Sequence, residues 1–548
     1  MKEASKVGEA SDSPATDPWW KGAVIYQIYP RSFLDTTGSG VGDLEGIIRK
    51  LDYVASLGVD AIWISPFFTS PMKDYGYDVA DYCDVDPAFG TLDDFDRLIE
   101  RAHDLGVKVV IDQVYSHTSD MHPWFIESRS SRDNPKADWY VWANAKSAGS
   151  PPSNWQSVFG GPAWSWDARR QQYFMHNFLR EQPQLNVHNP EVQDALLSAA
   201  KFWLDRGVDG FRLDAINFSM HNGDLTDNPP SNIPMSEVTR PFDMQLHVHN
   251  QSQPEITQFL GRIRSLLDQY GVTYTVAEVG GPNPIGEMKA FTHGNALLNS
   301  AYSFDFLYAE DIGPERIHDS LAQWPGKQDE GWPSWAFSNH DTPRAISRWA
   351  AQANGAQAAK VLNMLLLSLR GNPFIYQGEE LGLPQSDVPF ERLLDPEAIA
   401  NWPRTLGRDG ARTPISWDSA EPFHGFSARE PWLPVDPEHA SYAVAEQEAD
   451  PTSCLNVTRT LIGLRRQYPV FRTGRLKVLQ SSEGLLVFER EDQDHCIVCA
   501  YNLTDKARRV EFGCALETFA RETGGADTVL IRSETLPAWS GLWARKPG

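Results

Sequence analysis

The sequence predicts an α/β protein: a (β/α)8 TIM barrel with a small inserted domain after its third strand and an all-β domain at its C-terminus. Three observations carry this. Short apolar segments alternate with amphipathic helical ones over most of the chain, as in a barrel rather than an open sheet. Two connections are too long to be simple loops. After about Tyr468 the pattern changes to alternating strands.

Val24–Tyr29 is the first strand. A helix from Leu44 to Leu57 precedes a strand at Ala61–Ile64, and a helix from Leu92 to Leu105 precedes Val109–Asp112. The helix Val192–Arg206 leads through Gly207 into Gly210–Leu213, and Ile256–Tyr270 leads into Thr273–Ala277. Weaker strands are expected at Tyr302–Phe306 and Ser334–Phe337, then the apolar helix Gln357–Leu369 and a clear strand at Pro373–Tyr376. These boundaries give a flexible tail over 1–17, the barrel over 18–112 and 187–468, the inserted domain over 113–186, and a C-terminal β-sandwich over 469–548. The segment Ser219–Gln253 should lie as an extended loop over the barrel mouth. The C-terminal strands are Leu476–Leu479, Gly484–Glu489, Cys496–Tyr501, Arg508–Glu511 and Thr528–Ile531.

Composition narrows the function. A net charge of −24 over 548 residues opposes binding to nucleic acid, since nothing offsets phosphate repulsion. No apolar run reaches the roughly 18 residues that span a membrane, and the start has no signal-peptide core. The five cysteines lack a disulfide framework. Cys496 and Cys499 are three apart on a strand and face opposite sides, so a cytoplasmic protein with reduced thiols is expected. The 19 Trp and 17 Tyr offer flat faces suited to sugar rings, and they also fill large cores.

Chemistry is expected where polar residues end apolar strands, because barrel sites lie at the C-terminal strand ends. Asp112, Arg212, Asp214, Glu278, His340 and Asp341 meet that description. Arg212 and Asp214 stand two apart and leave the strand on the same face. Burying both is costly unless they pair, so folding alone seldom demands them.

The motifs Asp112-Gln-Val-Tyr-Ser-His117, Gly210-Phe-Arg-Leu-Asp214, Ala277-Glu278-Val and Ser338-Asn-His340-Asp341 stand in this order. Gln27-Ile-Tyr-Pro-Arg-Ser-Phe33, Gly76-Tyr-Asp78, Tyr376-Gln-Gly-Glu-Glu380 and Gly410-Ala-Arg-Thr-Pro414 accompany them. Together they resemble the alpha-amylase family of glycoside hydrolases, and within it the alpha-glucosidases with an oligo-1,6-glucosidase-like architecture. The resemblance implies Asp214 as nucleophile, Glu278 as general acid/base and Asp341 as a carboxylate that binds sugar hydroxyls. It implies Asp74, Tyr77, His117 and His340 around the sugar, Arg212 beside the nucleophile, Phe159 and Phe178 as aromatic walls, and Arg408 and Arg412 from the last loop. It also implies a retaining enzyme that removes or transfers single glucose units of short alpha-glucosides, preferring alpha-1,4 links as in maltose. Sucrose hydrolysis, glucan isomerisation and trehalose formation use the same scaffold. A catalytically inactive transporter subunit would lack the acids and carry a membrane span.

The loop Asp35 to Asp43 resembles a calcium loop at its ends only, with Asp35, Thr37, Ser39, Val41 and Asp43 at the ligand positions. A plain turn and a weak calcium or magnesium site both remain open. The chemistry requires no cofactor. The expected partner is a small oligosaccharide, and the assembly a monomer or homodimer.

Overall fold

The computed structural model describes residues 17–271, 273–324, 330–351, 355–405 and 407–547. Apart from Asp17, the expected flexible tail lies outside the described residues.

Eight parallel strands form the central sheet: β1 (Ile25–Ile28), β2 (Ala61–Ile64), β3 (Lys108–Val114), β4 (Gly210–Asp214), β5 (Tyr274–Val279), β6 (Ser300–Ser303), β7 (Ser334–Ala336) and β8 (Asn372–Tyr376). Their order is β6-β5-β4-β3-β2-β1-β8-β7. A parallel bridge between Ala301 and Pro333 joins β6 to β7 and closes the ring. The strand expected at Tyr302–Phe306 thus begins two residues earlier and stops at Ser303, because Phe304–Leu307 turn away at the barrel mouth.

The two faces of each strand differ as the period of two demands. Phe211 and Leu213 of β4 join the outer apolar shell, with Ile111 of β3 and Ala277 of β5. The lumen has its own cluster, including Ile25, Trp63, Val110, Val276, Tyr302 and Phe374. Each large apolar side chain so buried contributes roughly 1.5–3 kcal/mol. Gly210 opens β4 because a Cβ there would stand 2.3 Å from the Tyr274 carbonyl oxygen.

Several helices start on side-chain caps. Asp43 accepts from Gly46 N at the head of α1 (Leu44–Ser56), and Thr91 with Asp94 forms a capping box on α2 (Leu92–Asp104). Asn189 caps α3 (Pro190–Asp205), whose first residue is proline. α4 (Ile256–Leu267) packs on α3. α5 (Gly355–Ser368) is buried over most of its length, between the helix Cys454–Gln467 and the C-terminal sheet.

Between β3 and α3 lies a three-stranded antiparallel sheet (Trp142–Ala143, Trp164–Asp167, Gln172–Met175) with its own core of Trp155, Trp164 and Met175. Between β4 and α4, residues 215–255 carry no strand beyond one isolated bridge, Pro230–Gln245. Seven strands from Arg475 to Arg545 form one antiparallel sheet. Its strand Ser540–Arg545 does not stand out in the sequence, because five successive buried residues show no alternation. All five cysteines are free. Among the described residues, no helix is long and apolar enough to cross a membrane.

Candidate active site

The strand ends converge on one guanidinium. Arg212 is fully buried; its Nη1 donates to Asp112 Oδ1 at 2.7 Å and to Asp214 Oδ1 at 2.6 Å. Its Nη2 lies 2.5 Å from Glu278 Oε1. Tyr302 Oη accepts from both Arg212 Nε and Nη2, and donates to Glu278 Oε1 at 3.0 Å. Trp63 Nε1 donates to Asp112 Oδ2 at 2.9 Å. The second oxygen of Glu278 accepts from the Ala215 backbone N–H at 3.2 Å. Adjacent nitrogens of one planar fork therefore hold the carboxylates of β4 and β5, a task the fixed guanidinium geometry suits.

Burial pushes Asp214 up to about 7 and Glu278 up to about 7, although Arg212 pulls both down. Burial likewise raises Asp112 to about 6, against Arg212 and the Trp63 donor. One cation faces three carboxylates, so burial outweighs Arg212 and all three stand above the usual carboxylate range.

A second charged corner lies across the pocket. Asp341 Oδ1 is 2.7 Å from Arg412 Nη2 and 3.5 Å from Arg408 Nη1, and Oδ2 is 3.1 Å from His340 Nε2. Burial alone would raise Asp341, but His340, Arg412 and Arg408 hold it well below the usual carboxylate range. Arg408 Nη2 also reaches Asp74 Oδ1 and Asp395 Oδ1, both at 2.8 Å. His340 stacks between Tyr29 and Tyr77, with interplanar angles of 18° and 3°. Gln27 Nε2 contacts its Nδ1 at 2.8 Å, which directs Nε2–H toward Tyr77 Oη and Asp341. Burial pushes His340 down to about 3 and His117 to about 4, so both rings are neutral.

The pocket above these groups has a volume of about 830 Å³. Asp74, Tyr77, His117, Phe159, Phe178, Asp214, Glu278, Asp341 and Arg408 line it, while Arg212, His340 and Arg412 support the lining from behind. Phe159 and Phe178 stand 5.9 Å apart by ring centroids, with Arg408 4.8 Å from the Phe159 ring.

Residues 27–474 match the alpha amylase catalytic domain. The chain belongs to the alpha-amylase family. Within that family, a probable alpha-glucosidase of Rhizobium meliloti (strain 1021) is 48% identical over 537 residues, covering 96% of this chain and 97% of its own. An oligo-1,6-glucosidase of Heyndrickxia coagulans is 37% identical, covering 89% of this chain and 92% of its own. The crystal structure of an alpha-glucosyl transfer enzyme superposes with a TM-score of 0.92 at 47% identity, covering 97% of this chain and all (100%) of that one. A trehalulose synthase superposes with a TM-score of 0.89 at 31% identity, covering 96% of this chain and 100% of that one. The protein is thus an alpha-amylase-family glycoside hydrolase, among relatives named alpha-glucosidase and oligo-1,6-glucosidase.

Three supports of the pocket carry no signal in the sequence. Gln182, fully buried, has its Nε2 3.0 Å from Asp74 Oδ2 and 3.1 Å from His117 Nε2. Asp395 accepts from the N, Nε and Nη2 of Arg408. Tyr302 bridges Arg212 and Glu278. Asp395 precedes Pro396 and reads simply as a helix cap, and Gln182 lies in an irregular stretch that no period marks.

The loop Asp35 to Asp43 turns its carboxylates onto its own amides. Asp35 Oδ1 accepts from the N–H groups of Thr37, Gly38 and Ser39 and the Thr37 hydroxyl. Its Oδ2 accepts from Gly40 N and Ser427 Oγ. Asp43 takes Thr36 N, Thr36 Oγ1 and Gly46 N, and the Val41 carbonyl accepts from Ser39 Oγ. In this arrangement both carboxylates are spent on donors of the fold and the Thr37 hydroxyl points its proton at Asp35, so the loop as folded does not fit calcium or magnesium. Among the described residues, no group of three or more His, Cys, Asp and Glu side chains converges as a metal site.

Proposed function

We propose that the protein is a retaining alpha-glucosidase that releases the non-reducing-end glucose of short alpha-glucosides and passes it to water or to a second hydroxyl. The observation that carries this reading is the pair Asp214 and Glu278 held on adjacent nitrogens of Arg212 under the pocket. In this reading the Asp214 carboxylate attacks C1 while the C1–O bond to the leaving sugar breaks, and the Glu278 carboxyl gives its proton to the departing oxygen. The resulting Glu278 carboxylate then takes a proton from water or an acceptor hydroxyl, whose oxygen attacks C1 and frees Asp214. In this reading Arg212 favours the ionised form of Asp214, and burial raises Glu278 toward the working pH, where it can hold a proton for the leaving oxygen.

The corner formed by Asp74, Arg408 and Asp341 supports binding of a single terminal ring, with Asp341 and the neutral His117 and His340 near its hydroxyls. Phe159 and Phe178 supply apolar faces. The small side chain of Ala215, directly after Asp214, leaves space for a 4-linked leaving sugar, so maltose is the preferred substrate over isomaltose. The likeness to proteins named alpha-glucosidase and alpha-glucosyl transfer enzyme supports both hydrolysis and transfer. Five free thiols support a cytoplasmic setting.

The test is product analysis on maltose, isomaltose, sucrose and trehalose in parallel, with proton NMR of the first product. Alpha-glucose released first, most rapidly from maltose, is expected. Beta-glucose first would mean an inverting reaction, and preferential turnover of sucrose or trehalose would reassign the substrate.

A further inference from the structure

The steps above use the floor of the pocket and leave its upper wall without a role. That wall belongs to residues 215–255 and includes Arg240, Phe242 and His247. Phe242 and His247 stack with centroids 3.5 Å apart and planes 9° apart. Arg240 Nη1 reaches Glu397 Oε1 at 2.5 Å, tying this wall to the loop after β8.

A segment of this length without a strand ladder needs another source of rigidity. A chain of buried side-chain amides supplies it. The Phe218 carbonyl accepts from Gln184 Nε2 at 2.7 Å, and Gln184 Oε1 accepts from Asn177 Nδ2 at 2.9 Å. Asn177 Oδ1 accepts from Asn250 Nδ2 at 2.9 Å, and Asn250 Oδ1 accepts from Asn228 Nδ2 at 2.8 Å. Asn228 Oδ1 accepts from His249 N at 3.0 Å. A carbonyl at one end can only accept and a backbone N–H at the other can only donate, so the direction of the whole chain is fixed. Asn250 Oδ1 is therefore an acceptor, and it lies 3.0 Å from His247 Nδ1. His247 Nε2 lies 2.8 Å from the Phe242 carbonyl oxygen and Asn228 Nδ2 stands 3.4 Å from Nδ1, so the ring, which burial holds toward its neutral form, is fixed at both nitrogens.

We propose that Asn250 is a positioning residue: by joining Asn177 of the inserted segment to His247, it fixes the Phe242–His247 pair as the wall against which the second ring of the substrate lies. Asn177, Gln184 and Asn250 are fully buried, and truncating Asn250 leaves Asn177 Oδ1 without its donor and Asn228 Nδ2 and His247 Nδ1 with only each other, 3.4 Å apart. Buried polar atoms left unpaired are costly enough to make the loop repack. Phe218 is four residues beyond Asp214, so the chain of amides also references the wall to the nucleophile strand.

The inference rests on the alpha-glucosidase reading, and the experiment separates the two. Alpha-glucosyl fluoride has no second ring, so its turnover reads the floor of the pocket alone, whereas a disaccharide also reads the wall. The quantity to measure is kcat/KM for the disaccharide the wild type turns over fastest, divided by kcat/KM for alpha-glucosyl fluoride. This ratio is independent of the fraction of enzyme that is folded. Asn250→Ala should lower it about tenfold, and Phe242→Ala, at a half-buried position, should lower it in the same direction. A ratio unmoved in both variants, or a wild type that cleaves the fluoride and no disaccharide, overturns the proposal. A wild type inert toward alpha-glucosyl fluoride overturns the alpha-glucosidase reading itself.

Discussion

The backbone N–H of Ala215 donates to Oε2 of Glu278 at 3.2 Å, from a left-handed conformation with φ of 39°. The residue after Asp214 thus does two things: it orients the carboxyl of β5 and borders the space where the leaving sugar stands. Alanine carries a modest penalty at positive φ, and a β-branched side chain a larger one. Ala215→Val should therefore cost stability by about 1–3 kcal/mol and shift the maltose to isomaltose ratio of kcat/KM toward isomaltose. Ala215→Gly relieves the backbone and should leave stability within about 1 kcal/mol of wild type. Thermal melts and kcat/KM on both sugars check this, and a stable Val variant with an unmoved ratio would remove both roles from Ala215.

The crowding of carboxylates on Arg212 has a consequence for stability. Asp214 and Glu278 have folded pKa values near 7, above their unfolded values, so the folded state binds more protons between about pH 4 and pH 7. Stability from these groups is present in acid and is lost as pH rises through that window. Asp214→Asn and Glu278→Gln remove the buried charge. Each should abolish nearly all turnover yet raise Tm by about 2–5 °C at pH 8, with little gain at pH 4.5. Variants no more stable at pH 8 than wild type would show that Arg212 fully compensates the three acids. The same pair predicts a bell-shaped kcat/KM profile centred near pH 7, whose limbs belong to the pair.

Much of this arrangement is legible in the sequence because it lies on strands. Asp112, Arg212 and Glu278 interrupt short apolar runs, and the period of two is enough to assign their faces. The strand β6 is misplaced by two residues because Ser300 and Ser303 are small and polar, whereas the apolar Phe304, Phe306 and Leu307 belong to the turn beyond it. The wall of the pocket is illegible for another reason. Asn250 and Asn177 are 73 residues apart, and an Asn in a polar loop carries no periodic signal of burial. The same holds for Gln182, which meets Asp74 across 108 residues.

The calcium-like loop makes a separate prediction. Asp35 is held below its ordinary value: burial raises it, but the Ser427 hydroxyl and the loop amides outweigh that effect. Its role here is to close a turn, so chelation with EDTA should leave activity within about twofold, a bound at the limit of ordinary assay scatter. Asp35→Ala should lower Tm, since several N–H donors lose their acceptor together. Loss of activity in EDTA that calcium or magnesium restores would show that the loop rearranges around a cation.

The last prediction concerns Arg212, whose two terminal nitrogens serve Asp112, Asp214 and Glu278 while Nε and Nη2 meet Tyr302. Arg212→Lys keeps the positive charge but replaces a planar fork by a single ammonium on a flexible stem. One ammonium cannot lie within hydrogen-bond reach of all three acids in the positions the fork holds them. Whichever carboxylate it abandons is left buried and unpaired, and breaking such a pair costs about 3–5 kcal/mol. That carboxylate will then hold its proton more tightly. If it is Asp214, the nucleophile is neutral near pH 7 and the acid limb of kcat/KM moves up; if it is Glu278, the alkaline limb moves up; if it is Asp112, both limbs hold. Because the two reacting carboxyls also lose the spacing that the fork sets, kcat/KM at pH 7 should fall by at least 100-fold in each case, a loss equivalent to about 2.7 kcal/mol of transition-state stabilisation. The pH profile of the folded variant identifies which acid has lost its partner. A lysine variant with near-wild-type activity and an unmoved profile would mean that charge alone suffices, and that the paired geometry of the guanidinium does not set the site.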